Sequence, residues 1–103
     1  MKVLFVCSAG MSSAIVVNAL KKEAEKQGLQ VEVKAVSTQE FGEEVKQGWD
    51  VAMVAPQVRH RFDQLKQEAD AAQVPCELIP PQAYTPLGGP LLYKKVIELA
   101  KKS

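Results

Sequence analysis

Cys7 closes a short apolar run, Val3-Leu4-Phe5-Val6, and is followed by the small-residue stretch Ser8-Ala9-Gly10-Met11-Ser12-Ser13. A cysteine in that setting can act as a nucleophile, because the thiolate attacks readily and a neighbouring helix start favours negative charge. Ser8, Ala9 and Gly10 permit a tight turn, and Ser12 or Ser13 can cap a helix that begins at Ala14. The backbone N–H groups from Ser8 to Ser13 then converge on whatever projects from Cys7. With the positive end of the helix they favour an anion there, either a thiolate or a phosphate. The same position suits a buried cysteine that behaves as a small hydrophobe, and position alone leaves both readings open.

The other residues able to do chemistry are sparse. His60 is the sole histidine and stands between Arg59 and Arg61, which reads as a solvated basic stretch. No CxxC, no second histidine and no HExxH appears, so neither a metal site nor a cofactor is predicted. Cys76, the second cysteine, starts an apolar stretch and reads as packing. Trp49 likewise reads as core or rim packing.

The elements that must position Cys7 follow from periodicity. Val3 to Val6 is apolar without alternation, which predicts a strand buried on both faces of a parallel sheet. Val16, Val17, Leu20 and Ala24 recur at helical spacing over Ala14 to Gln27, with Gly28 as the stop. Val31, Val33 and Ala35 alternate with Glu32 and Lys34, predicting a second strand with one face partly in water. Ser37 or Thr38 caps a short helix through Lys46, stopped by Gly48. Asp50 to Ala55 is a third strand, apolar without a break from Val51 on and ended by Pro56-Gln57, and a helix runs from about Val58 to Ala72. Cys76 to Ile79 is the last strand, and Gly88-Gly89-Pro90 opens a closing helix.

This β-α-β-α-β-α-β-α order predicts an α/β fold in one domain spanning 1–103: a four-stranded parallel sheet with helices on both faces in three layers. The continuously apolar strands belong at the centre and the charged ones at the edges, and right-handed crossovers then give the order 2-1-3-4. The switch point of that order lies outside the carboxyl ends of the first and third strands, where Cys7 meets Pro56-Gln57. Cys76 starts its strand at the opposite edge, about 15 Å from Cys7 and beyond disulfide reach.

The run Cys7-Ser8-Ala9-Gly10-Met11-Ser12 matches, letter for letter, the signature of the lactose/cellobiose (chitobiose) type enzyme IIB components of the bacterial phosphoenolpyruvate-dependent sugar phosphotransferase system, which this chain resembles. Pro56-Gln57, the length and the element order extend the resemblance over essentially the whole chain. It implies a phosphotransferase in which Cys7 accepts phosphate from a phosphohistidine on a IIA component. Ser8, Ala9, Gly10, Met11, Ser12 and Ser13 would hold the phosphate, and sugar bound in a membrane IIC component would receive it. It also makes Pro56, Gln57 and Tyr84 candidate partner or supporting residues, while Arg59 and Arg61 are candidates from their place near the switch point, where they would help dock a phosphorylated donor or acceptor protein. Two places depart from the family: His60-Arg61 stands where it often has an apolar or aromatic run, and Thr85-Pro86 follows Tyr84 where it tends to have glycine.

The strand-cysteine-loop-helix arrangement also resembles low-molecular-weight protein tyrosine phosphatases. Their Cys-x5-Arg signature would need arginine at position 13, which is Ser13, and the stretch from Pro81 to Pro90 offers no aspartic acid as general acid. A flavodoxin- or receiver-like binding module is the third alternative. It lacks the acidic cluster of a receiver and would leave the cysteine idle.

Composition permits the carrier reading and excludes others. At 103 residues, 47% hydrophobic and 24% charged, the chain is an ordinary globular domain. Its net charge of +1 leaves no footprint for nucleic acid. The apolar run before Cys7 is shorter than the about 7–15 residues of a secretory core, and no stretch approaches the ~20 apolar residues of a membrane helix. A cytoplasmic location is therefore expected.

Overall fold

The computed structural model describes residues 1–7, 13–85 and 87–102, with the side chains of Ser13, Ala14 and Lys102 left aside. Its strands are β1 (Lys2–Val6), β2 (Glu32–Val36), β3 (Val51–Val54) and β4 (Cys76–Leu78). They form a parallel sheet in the order β2-β1-β3-β4. The helices are α1 (Ser13–Lys26), α2 (Thr38–Glu44), α3 (Phe62–Ala71) and α4 (Gly89–Lys102). The predicted order and the central placement of the two apolar strands both hold.

Alternation along β1 feeds two cores. Leu4 and Val6 point into a layer with Phe41, Val45 and Leu65, from the α2 and α3 side. Val3 and Phe5 point into a layer with Val16, Leu20, Leu92 and Val96, from α1 and α4. The residues from Val3 to Val6 and from Val51 to Val54 are at most 1% exposed. That explains their lack of polar alternation: both faces are covered, so neither can be polar.

Local chemistry sets the element ends. Ser37 caps α2, and Glu40 Oε1 accepts from the Ser37 N–H at 3.3 Å and from its hydroxyl at 3.0 Å. Gly48 takes a left-handed φ of 92°, where a side chain would be strained. At the amino edge, Asp50 Oδ2 accepts from the Lys2 N–H at 2.7 Å, and Lys2 Nζ lies 4.8 Å from the Trp49 ring centre. Trp49 is buried, as its packing role requires.

Three expectations need correction. The helix anticipated from Val58 begins only at Phe62, and Pro56–Arg61 is a 3-10 segment. Val58 breaks it with φ −115° and ψ 25°, and its side chain is buried in the core that also holds Cys7 and Leu65. Arg59, His60 and Arg61 therefore lie on this segment and not on an α-helix. In β2 the deeply buried residue is Val36, whereas Ala35 is exposed. An edge strand is covered only where a helix crosses it, and α2 reaches Val36. The helix predicted through Lys46 tightens after Glu44 into a 3-10 turn, Val45–Gln47.

Candidate functional site

The carboxyl edge of the β1/β3 pair is built by backbone pairing. Val6 lies opposite Val36 in β2 and Val54 in β3. One residue further, the Cys7 N–H donates to the Val36 carbonyl at 3.0 Å, and the Ala55 N–H donates to the Val6 carbonyl at 2.9 Å. Cys7 is thus held by the sheet at the point where the strand order reverses, flanked by the start of the Pro56 segment. The two lines of sequence reasoning, the switch point and the cysteine at a strand end, select this corner together.

Cys7 is 2% exposed and packs in the α2/α3 core with Val36, Ala55 and Val58. Ser8 to Ser12, the amides predicted to ring the phosphate, lie outside the described residues, and so does the side chain of Ser13. The backbone of Ser13 begins α1, so the positive end of that helix faces the same edge. Pro56 occupies the first position of its 3-10 segment, where its missing N–H and fixed φ suit a helix start. The Val58 N–H closes that turn on the Ala55 carbonyl at 3.1 Å. Gln57 and Arg59 are exposed beside it.

Tyr84 reaches the same edge from the far side. The chain leaves β4 through Ile79, whose N–H donates to the Val54 carbonyl at 2.8 Å, and makes a 3-10 turn at Pro81–Ala83. The half-buried Tyr84 ring then packs against both cores. Its packing role is therefore evident. Pro86, in the loop that departs from the family pattern, lies outside the described residues.

The second thiol is remote. Cys76 pairs with Ala52 while Val6 pairs with Val54, so Cys7 stands three residues further along and two strands away. At ~3.3 Å per residue and ~4.8 Å per strand this separates the two by roughly 14 Å, and no disulfide joins them. Burial pushes the Cys76 thiol up to about 12. That disfavours the thiolate and any nucleophilic role.

A groove of about 540 Å³ runs between α2 and α3 and is lined by Thr38, Lys46, Arg61 and Glu68 among others. Cys7 does not line it. Its rim is charged and open, and the chemistry argued from the cysteine lies elsewhere. Among the described residues no group of acidic, histidine and cysteine side chains is placed to hold a metal ion. No helix there is long and apolar enough to cross a membrane.

Sequence reasoning missed the exposed apolar residues near this edge. Ile15 is 55%, Leu87 92% and Leu91 40% exposed. A signal existed, since Ile15 falls outside the Val16, Leu20, Ala24 stripe of its helix.

A cysteine is thus held at the switch point of a 2-1-3-4 parallel α/β sheet, beside a helix start. The family model described as "PTS system, Lactose/Cellobiose specific IIB subunit" matches residues 2–90, and the chain belongs to that family. It is 30% identical over 98 residues to the oligo-beta-mannoside-specific EIIB component of the phosphotransferase system of Bacillus subtilis (strain 168), covering 95% of this chain and 94% of that one. The cellobiose-specific IIB component of Borrelia burgdorferi is 26% identical with a TM-score of 0.79, over 99% of this chain and 93% of that one. A lactose-specific IIB component domain of Streptococcus pneumoniae has the same TM-score at 21% identity, over 95% of each chain, and so shares the fold. The chain is accordingly a IIB component of a sugar phosphotransferase system, with a general role in phosphoryl transfer, and the phosphatase alternative is not favoured.

Proposed function

We propose that this chain is a cytoplasmic phosphoryl carrier, acting as one domain, in which Cys7 is the covalent acceptor. The observation that carries the reading is the run Cys7 to Ser12, identical to the family signature, on a strand whose last residues are pinned at the switch point. Transfer begins when the Cys7 thiolate attacks the phosphorus of a phosphohistidine on a IIA component. The S–P bond forms as the N–P bond breaks, and the imidazole leaves to take up a proton. In the second step a hydroxyl of a sugar bound in the membrane IIC component attacks that phosphorus. The O–P bond forms, the S–P bond breaks, and the thiolate is regenerated as the hydroxyl loses its proton.

The chain's own contribution is electrostatic. Amides of Ser8 to Ser13 and the start of α1 would stabilise charge on the phosphoryl oxygens in both steps, since oriented donors at a helix N-terminus favour an anion without reorganising. A β-linked disaccharide such as cellobiose, chitobiose or lactose is the substrate class proposed from the family. No cofactor takes part in this scheme.

Incubation with a phosphorylated IIA component, read by intact-mass spectrometry, tests the reading. One phosphate should appear on Cys7, and Cys7→Ser should abolish both the adduct and sugar phosphorylation. A phosphate found on His60 instead would overturn it.

A further inference from the structure

The sheet ends on β2, which pairs with β1 alone among the described residues. Three hydrogen bonds fix which of its backbone groups face inward. The Gln30 carbonyl accepts from the Met1 amino group at 3.2 Å, the Glu32 N–H donates to the Met1 carbonyl at 2.8 Å, and the Val36 carbonyl accepts from the Cys7 N–H at 3.0 Å. The even-numbered residues are thus turned toward β1. Alternation along the strand turns the N–H and C=O groups of Val31, Val33 and Ala35 away from the sheet, as an open row. At the opposite edge β4 spans only Cys76–Leu78, between Pro75 and Pro80, which cuts its row short.

The side chains of β2 follow the same alternation. Val31 and Val33 are half-buried against the α1/α4 core, and Ala35 on the same face is exposed. On the other face Glu32 and Lys34 stand in solvent, Glu32 paired with Lys2 at 3.9 Å and Lys34 with Glu44 at 2.8 Å. A second copy laid antiparallel about a two-fold axis can centre on Glu32, Val33 or Lys34. Centring on Glu32 or Lys34 sets that charge against its own copy. Centring on Val33 sets Glu32 against the partner's Lys34, and Lys34 against the partner's Glu32, in the closely spaced pairs whose Cβ atoms lie about 4.5–5.5 Å apart. That register also lays Val33 beside the partner's Val33 and Val31 beside the partner's Ala35. Charge and apolar surface select the same alignment. A net charge of +1 opposes association little.

We propose that a second copy of this chain pairs antiparallel along β2, centred on Val33, in a two-fold symmetric dimer with one continuous sheet. Its three opposed outward pairs make about six hydrogen bonds. The two Cys7 edges then face opposite ends of the dimer, so pairing leaves both open. The proposal does not depend on the carrier reading.

Sedimentation velocity tests it. The unmodified chain should pass from monomer to dimer between about 10 µM and ~1 mM, with a Kd of about 10–100 µM. Glu32→Lys and Lys34→Glu each set like charges opposite one another and should weaken self-association about tenfold or more. An equimolar mixture of these two variants sets lysines against glutamates in both pairs and should associate as the unmodified chain does. Circular dichroism checks that each variant folds. Hydrogen exchange of the unmodified chain needs no variant: the Val33 and Ala35 amides should slow as concentration rises, while those of Lys34 and Val36, turned toward β1, should not change. A chain that stays monomeric at ~1 mM overturns the proposal. So does a dimer that forms equally well from each folded charge variant, or one in which exchange at Val33 and Ala35 ignores concentration, since either places the contact on another surface.

Discussion

The backbone N–H of Cys7 donates to the carbonyl of Val36 at 3.0 Å, which ties the candidate nucleophile to the last residue of the edge strand β2. The bond extends sheet geometry one residue past β1, so Cys7 starts from a fixed backbone. Its amide should therefore exchange with solvent as slowly as those of Phe5 and Val6. Hydrogen exchange read by NMR checks this, and exchange as fast as that of the Gly28 turn would show that the bond does not persist.

Burial of Cys7 has a further consequence for its variants. At 2% exposure the side chain packs with Val36, Ala55 and Val58, so Cys7→Ser, which sets a more polar group there, should lose about 1–3 kcal/mol of stability. Chemical denaturation measures the loss. Transfer assays on that variant belong well below its melting temperature, where failure reports chemistry and not unfolding.

Ser13 opens α1 at the place where a phosphatase loop would carry arginine. A carrier benefits from lacking that clamp, because phosphate lost to water never reaches sugar. Ser13→Arg should shorten the lifetime of phosphorylated Cys7 at neutral pH and lower the yield of sugar phosphate. Mass spectrometry over time measures it, and an unchanged or longer lifetime in a folded variant would count against the argument.

Cys76 predicts an alkaline weakness. Burial pushes its thiol up to about 12 in the fold, whereas an unfolded cysteine titrates near about 8.5. Above the unfolded value the unfolded chain sheds a proton that the fold retains. Stability is thus complete below about pH 8.5 and falls as pH rises toward 12, by up to roughly 1.4 kcal/mol per pH unit. Cys76→Val should remove that part of the decline. Denaturation curves at pH 8, 9 and 10 for both chains test it, and identical slopes would refute it.

Gly89 predicts a steric effect. An added Cβ would stand 2.8 Å from the Ala19 carbonyl oxygen and 3.2 Å from its carbon, and backbone atoms cannot swing aside. Gly89→Ala should part α1 from α4 and destabilise the chain by about 1–3 kcal/mol. A melting temperature equal to that of the unmodified chain would show that the helices tolerate separation.

These residues also show what the sequence made legible. The runs Val3 to Val6 and Val51 to Val54 announced the sheet centre, because a strand covered on both faces has no reason to alternate. Cys7 and Pro56 could be brought together from topology alone, since the switch point follows from strand order. The Gly88-Gly89 pair read only as the opening of the closing helix. That Gly89 is a helix-to-helix contact depends on Ala19, seventy residues earlier, and no local pattern encodes it. The 3-10 path after Pro56 was hidden for a similar reason: Val58 fits helical spacing, but its side chain is buried in the core that also holds Cys7.

The placement of both cysteines in one core, roughly 14 Å apart, bears on oxidative damage. A cysteine oxidised to sulfenic acid is commonly rescued when a second thiol of the same chain condenses with it. Cys76 is the sole other thiol in the sequence, and the pairing of its strand with β3 holds it in place. Sulfenylated Cys7 has no resolving thiol within its own fold, so its repair depends on small thiols or a reductase reaching the carboxyl edge from outside.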